Sequence, residues 1–434
     1  MPNLSIGNYL KEIHYTQRQA WPQCVKNAVI REDSGYDLKM IQRFLRFLFF
    51  LLVFPLSFLS AQEYTPDHDF FYRNGQKFVV KGVVYVPVYP GFVPWELAHA
   101  KELPDWLKQN IRRDIQDIKA LGANTIRFWD VPAEVYRAVK ETGGLSIIQT
   151  VWFDAKQPDL QDPVFKQKCK AAVKTAVDRI YEVYSRENPP PVLAFIAGSE
   201  LSRKSIEETN RRHSGMPAFK GRHVHVPENA SPAENFLAEM ADYLKSYELE
   251  KYGRSHLVSY ANEIRTETAI DTPFLDFRSF NAYSYAVPEF SEPRAGSGTK
   301  TIFQGWIEQL KNKYPEKPLL ITETGLSVSP RAARLGPPDY GYGGNTFEDQ
   351  ARGLVQNWND IATAEKPVAG GVIHEYLDAW WKYGLKDSYE HEPEDIEEWF
   401  GLVSIEKRGK EYRTEFRPAY RSLKAVWLET RLKK

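Results

Sequence analysis

Two glutamates end two similar apolar runs. Residues 317–325 read Lys-Pro-Leu-Leu-Ile-Thr-Glu323-Thr-Gly325, and residues 192–200 read Val-Leu-Ala-Phe-Ile-Ala-Gly198-Ser199-Glu200. Each run fits a strand buried on both faces of a parallel sheet. A carboxylate at the C-terminal end of such a strand has no packing role. Two carboxyl groups brought to one cavity can divide acid–base and nucleophilic work between them. The separation of such a pair decides the stereochemical course, and the elements that carry the pair set that separation.

Those elements can be traced along the chain. Further strand-like runs are Val79–Tyr85, Asn124–Trp129, Leu145–Trp152, His256–Tyr260, Phe277–Ser284 and Val368–Tyr376. A lead strand, Phe70–Tyr72, and an Asn74-Gly75 turn come before the first of them. Helical spacing fills most of the gaps. Leu107, Ile111, Ile115, Ile118 and Leu121 step by four and three, and Gly122 ends that segment. Shorter or longer helices are expected over 133–141, 163–185 and 300–313, from Thr346 to Ile361 and from Pro418 to Leu432. Ser231-Pro232-Ala233-Glu234 reads as a capping box opening a helix to about Lys251. Eight strands alternating with helices predict an α/β fold, a single (β/α)8 barrel. Long loops follow strand four (201–228), strand seven (326–345) and strand eight, where 385–416 reads as irregular. In that barrel Glu200 ends strand four and Glu323 ends strand seven, across one cavity on the face where barrel enzymes keep their chemistry.

Composition narrows the function classes. Lys+Arg and Asp+Glu both number 57, which gives a polyanion such as nucleic acid nothing to seek. With 42% hydrophobic residues there is material for a large core, and one barrel needs only ~250 residues. Met40, Arg43, Arg46, the uncharged run Phe47–Leu59 and Ser60-Ala61 form the n-region, h-region and small-residue end of a secretory signal. The expected organisation is therefore an upstream mis-start over 1–39, a signal peptide over 40–61 and a catalytic domain over 62–434. The product would be secreted or periplasmic, with no stable membrane insertion after cleavage. Leu59 at the −3 position makes an uncleaved anchor the alternative. Loss of the leader removes Cys24 and leaves Cys169, at core spacing on a helix and with no disulfide partner.

The motifs resemble those of the large clan of retaining (β/α)8 glycoside hydrolases, above all the family 2 catalytic barrels and the β-1,3-glucanosyltransferases. The carriers are Phe78–Pro87, Asn124–Trp129, Gly198-Ser199-Glu200, Asn281-Ala-Tyr283, Ile321-Thr-Glu323-Thr-Gly325, Gly370–Tyr376 with Trp380-Trp381, Phe400-Gly-Leu402 and Arg417-Pro-Ala-Tyr420. They span most of residues 70–430. The resemblance implies Glu200 as acid/base and Glu323 as nucleophile. It implies Arg127 beneath the nucleophile, Tyr283 donating to it, and Trp380 or Trp381 flooring the sugar subsite. Arg127 also stands out without it, because an arginine inside an apolar strand is costly unless paired. Trp129 and Trp152 add aromatic surface at strand ends. The clan usually has Asn before the acid/base. This chain has Ser199, which bears on contact with the sugar 2-hydroxyl.

His213, His223 and His225 lie in a polar insertion without zinc-ligand spacing, so no metal or cofactor is expected. His374-Glu375 ends strand eight, and alternation would let only one of the pair face the axis, with Glu375 a candidate substrate ligand or third carboxylate. The expected activity is double-displacement hydrolysis of a β-linked oligo- or polysaccharide of β-glucan or β-mannan type. The rivals are a transglycosidase on the same scaffold, a catalytically weak carbohydrate-binding barrel, and a metal-dependent hydrolase.

Overall fold

A computed structural model describes residues 63–286, 301–331, 341–382, 391–408 and 411–429. The expected mis-start over 1–39 and signal peptide over 40–61 lie outside the described residues. What is described falls within one unit, Ala61–Lys434.

Eight parallel strands close into a barrel in chain order: Val80–Val84, Thr125–Phe128, Ser146–Val151, Val192–Ser199, Leu257–Glu263, Arg278–Asn281, Leu319–Thr324 and Gly370–Ile373. Closure comes from strand eight pairing with strand one, Gly370 opposite Val80 through Ile373 opposite Val83. The strands are buried on both faces because helices cover the outside. Val84, Ile148, Ala194, Ile196, Leu320 and Val372 belong to the core cluster that the strands share. Gly82 is needed there, since a β-carbon would stand 2.7 Å from Val372.

The helices follow their sequence signals. Asp105–Leu121 ends at Gly122 in the left-handed conformation, φ 101°. Pro232–Tyr252 starts with the Ser231–Glu234 capping box, and Phe347–Ala362 with a similar Thr346–Asp349 box. Three features went beyond the sequence expectation. The loop after strand four contains a helix, Arg203–Arg212, whose polar composition hid it; Ser202 caps it. The stretch expected to be irregular contains a hairpin of Val403–Arg408 with Glu411–Phe416. The lead segment is a three-stranded antiparallel sheet of Tyr64–Pro66, Phe71–Arg73 and Gln76–Phe78.

That small sheet covers the N-terminal mouth of the barrel. Phe71 meets Phe277, the residue before strand six, edge to face at 5.0 Å. The Tyr64 hydroxyl lies 2.5 Å from Ser146 Oγ at the start of strand three. The opposite mouth, at the strand C-terminal ends, is where the two glutamates emerge.

Candidate active site

The site rests on a layer of strand ends. Asn281 on strand six is level with Glu263 on strand five and with Glu323 on strand seven. Gly325 lets strands seven and eight approach, because a β-carbon there would meet the His374 carbonyl at 2.2 Å. At the end of strand four the backbone turns sharply. Gly198 takes φ 84° and Glu200 φ 51°. A non-glycine residue in the left-handed region costs about 1–2 kcal/mol. Two hydrogen bonds hold it: Glu200 N–H to the Ala261 carbonyl at 2.9 Å, and Leu201 N–H to the Tyr260 hydroxyl at 2.8 Å.

Glu323 is held from both sides. Arg127 Nη1 donates to Oε1 at 2.8 Å, and the Tyr283 hydroxyl donates to Oε2 at 2.6 Å. Arg127 is fully buried, and it also donates to the Thr322 carbonyl and, through Nε, to Thr150 Oγ1. Its guanidinium stands over the half-buried Trp129 ring at 5.1 Å. Burial pushes Glu323 up to about 7; Arg127 and the Tyr283 hydroxyl pull it down, and Glu200 pushes it up further. A cation beside a carboxylate favours its ionised form. Arg127 does act in that direction, but desolvation outweighs it.

Asn281 joins the two carboxyl groups. Its Nδ2 donates to Glu200 Oε1 at 2.9 Å and to Ser199 Oγ at 3.2 Å. Its Oδ1 accepts from Arg127 Nη1 at 3.2 Å and Thr322 Oγ1 at 2.9 Å. Asn281 belongs to the Asn281-Ala-Tyr283 motif, and the resemblance implies no role for it. The signal was its place two residues before Tyr283 at a strand end.

Strand eight supplies a surprise. His374 stands against Glu323, with Nδ1 at 3.9 Å from Oε2. Its ring meets Trp129, Tyr283 and Phe400 edge-on. Burial holds His374 well below the usual histidine range, so it faces Glu323 as a neutral ring. Its Nε2 lies 3.5 Å from Glu375 Oε1. Strict alternation was expected to bring only one of this pair inward. Both lie past Ile373, where the strand ends, and both are buried. Burial pushes the Glu375 carboxyl up to about 8, with Lys382 opposing.

Lys382 completes the charged set. It donates to Glu397 Oε2 at 2.7 Å, and Tyr342 donates to the other oxygen of Glu397. Trp380 is buried with its ring 4.1 Å from His391. Trp381 is half-buried and meets the exposed Trp95 edge-on at 6.3 Å. Trp152, at the end of strand three, is 58% exposed. Of the insertion histidines, His213 lies 2.9 Å from Asp159. Among the described residues no group of three or more histidine, cysteine or acidic side chains is placed to hold a metal ion.

No family model and no curated protein matches this chain. Solved structures with the same barrel do. The β-glucuronidase from Ruminococcus gnavus in complex with uronic deoxynojirimycin superposes with a TM-score of 0.58 at 17% identity, over 84% of this chain and 52% of that one. The GH2 β-galacturonidase from Eisenbergiella tayi bound to galacturonate gives 0.54 at 18%, over 85% and 54%. The chain therefore spans about half the length of these neighbours. It has the (β/α)8 fold that they share.

Proposed function

We propose that the protein is a retaining β-glycoside hydrolase. The observation that carries this is the Glu323 carboxyl, fixed on one oxygen by Arg127 and on the other by Tyr283, with Glu200 tied to the same network through Asn281. Glu323 attacks the anomeric carbon while Glu200 gives its proton to the departing glycosidic oxygen. A covalent glycosyl ester forms on Glu323 and the C–O bond to the leaving group breaks. Glu200 then takes a proton from water, which attacks the same carbon and releases Glu323. A second sugar in place of water makes the reaction a transfer.

The substrate proposed is a β-linked oligo- or polysaccharide of β-glucan or β-mannan type. Exposed Trp152 and half-buried Trp129 and Trp381 support it, as flat surfaces for sugar rings at the strand-end mouth. A β-uronide is the second reading. The two structural neighbours are named for uronides, and half-buried Lys382 lowers the proton affinity of Glu323, which places a cation within electrostatic reach of the site. Export through a signal over 40–61 is part of the proposal. N-terminal sequencing of secreted material tests it, and a mature chain retaining 1–39 refutes it. Among the described residues no helix is long and apolar enough to cross a membrane.

The central test is a panel of activated aryl β-glycosides and oligosaccharides, including glucosides, mannosides and glucuronides. Glu323→Gln and Glu200→Gln should each abolish turnover of whichever substrate is cleaved. Full activity in either variant refutes the assignment, and binding without turnover by the wild type supports the carbohydrate-binding rival.

A further inference from the structure

We infer that Asn281 positions the acid/base, selecting which oxygen of Glu200 carries the proton. The inference rests on the retaining reading above. Asn281 is 3% exposed, and both ends of its amide are used. The carbonyl end meets a guanidinium and a hydroxyl; the amino end meets a carboxyl and a hydroxyl. Flipping the amide would point its oxygen at Glu200 and its N–H groups at Arg127. The donor–donor contact with Arg127 would be repulsive in every protonation state, and the contact with ionised Glu200 would be too, so the network sets one orientation. Among the described residues Asn281 is the one side chain hydrogen-bonded to the Glu200 carboxyl.

Three consequences follow for the chemistry. Oε1 of Glu200 accepts from Asn281, so the proton delivered to the leaving group resides on Oε2. During deglycosylation the same N–H stabilises the carboxylate that Glu200 has become. The Asn281 carbonyl is locked by the arginine that holds Glu323, so the position of the acid is referenced to the nucleophile through one rigid side chain. Ser199, where the clan usually places Asn, touches that same amide and leaves its donor on Glu200.

Leaving-group dependence separates this role from a general structural one. Breaking the bond to a poor leaving group needs the acid, which contributes about 100-fold or more. A leaving group such as dinitrophenolate needs little protonation. Asn281→Asp keeps the volume and the oxygen for Arg127 and Thr322 but replaces the donor facing Glu200 with an acceptor. Asn281→Ala removes both. With folding checked by circular dichroism and melting temperature, both variants should lose about 100-fold in kcat/KM on an unactivated oligosaccharide. On the dinitrophenyl glycoside the loss should stay within about 10-fold. The alkaline limb of the Asn281→Asp pH profile should move upward, because a new negative charge beside Glu200 favours its protonated form. Equal losses on both substrates with an unmoved alkaline limb overturn the inference alone. A wild-type protein that turns over neither substrate overturns the retaining reading, and this inference with it.

Discussion

Arg127 Nη1 and Glu323 Oε1 form a 2.8 Å ion pair closed to solvent on the arginine side and nearly so on the glutamate side. The pair opposes the desolvation that raises the Glu323 carboxyl. Glu323 must be ionised to attack, and its carboxyl is pushed up to about 7. The rate should therefore fall as pH drops through about 7, because protonation removes the nucleophile. Arg127→Met removes a cation that lowers this value, so the acid limb of kcat/KM should move to higher pH. A buried carboxylate stripped of its partner costs about 3–5 kcal/mol, which thermal unfolding would show. An unmoved acid limb contradicts the pairing.

Tyr283 should contribute through its hydroxyl alone. A hydrogen bond to a charged group is worth about 1.5–3 kcal/mol, so Tyr283→Phe should lower kcat about 10- to 100-fold. The ring packs on Tyr285 and Phe400, and the phenylalanine keeps those contacts. The melting temperature should change little. A large drop in stability with kcat unchanged would assign Tyr283 to the core instead.

Glu375 links pH to stability. Its folded carboxyl, at about 8, binds a proton more tightly than the unfolded chain's, at 4.5. The stability it contributes is complete below 4.5 and is lost as pH rises through about 8. Glu375→Gln imitates the protonated form. Relative to wild type it should match at low pH and gain up to about 1.4 kcal/mol per pH unit between those two values. Denaturant unfolding at pH 4.5, 6.5 and 8.5 measures the trend, and a difference independent of pH refutes it.

Trp152 is exposed where the barrel opens, and its proposed work is stacking a sugar ring away from the bond being broken. Aromatic stacking is worth about 0.5–1.5 kcal/mol. Trp152→Ala should therefore raise KM for a long oligosaccharide up to about 10-fold and leave aryl monoglycosides unaffected. An equal effect on both substrates would place it inside the reacting subsite.

Much of this was legible because the signals were local. Apolar runs ended by Glu200 and Glu323 marked two of the strands and their C-terminal ends. Arg127 drew notice because an isolated charge in a buried strand needs a partner. Family resemblance supplied Tyr283. What stayed hidden depended on contacts between distant segments. Asn281 reads as one more polar strand-end residue until strands two, four and seven close around it. Resemblance gave Trp380 or Trp381 the floor of the sugar subsite and gave His374 no role, yet the chain beyond Ile373 puts His374 beside Glu323. Arg203–Arg212 has no long apolar stripe, so its helix showed only in the Ser202 cap. The alternation of Val403 and Ile405 with polar neighbours was readable as a strand, but the acidic, aromatic composition around it masked the pattern.

The three-stranded sheet over the N-terminal mouth has an engineering meaning. One end of the barrel is sealed by Tyr64, Phe71 and Phe78, and Glu200 and Glu323 emerge at the other. Sequence changes that tighten the seal can raise heat tolerance without touching the loops that choose a substrate. Loop libraries can in turn be searched on a hardened base. The two properties occupy opposite ends of one cylinder and can be evolved in separate campaigns.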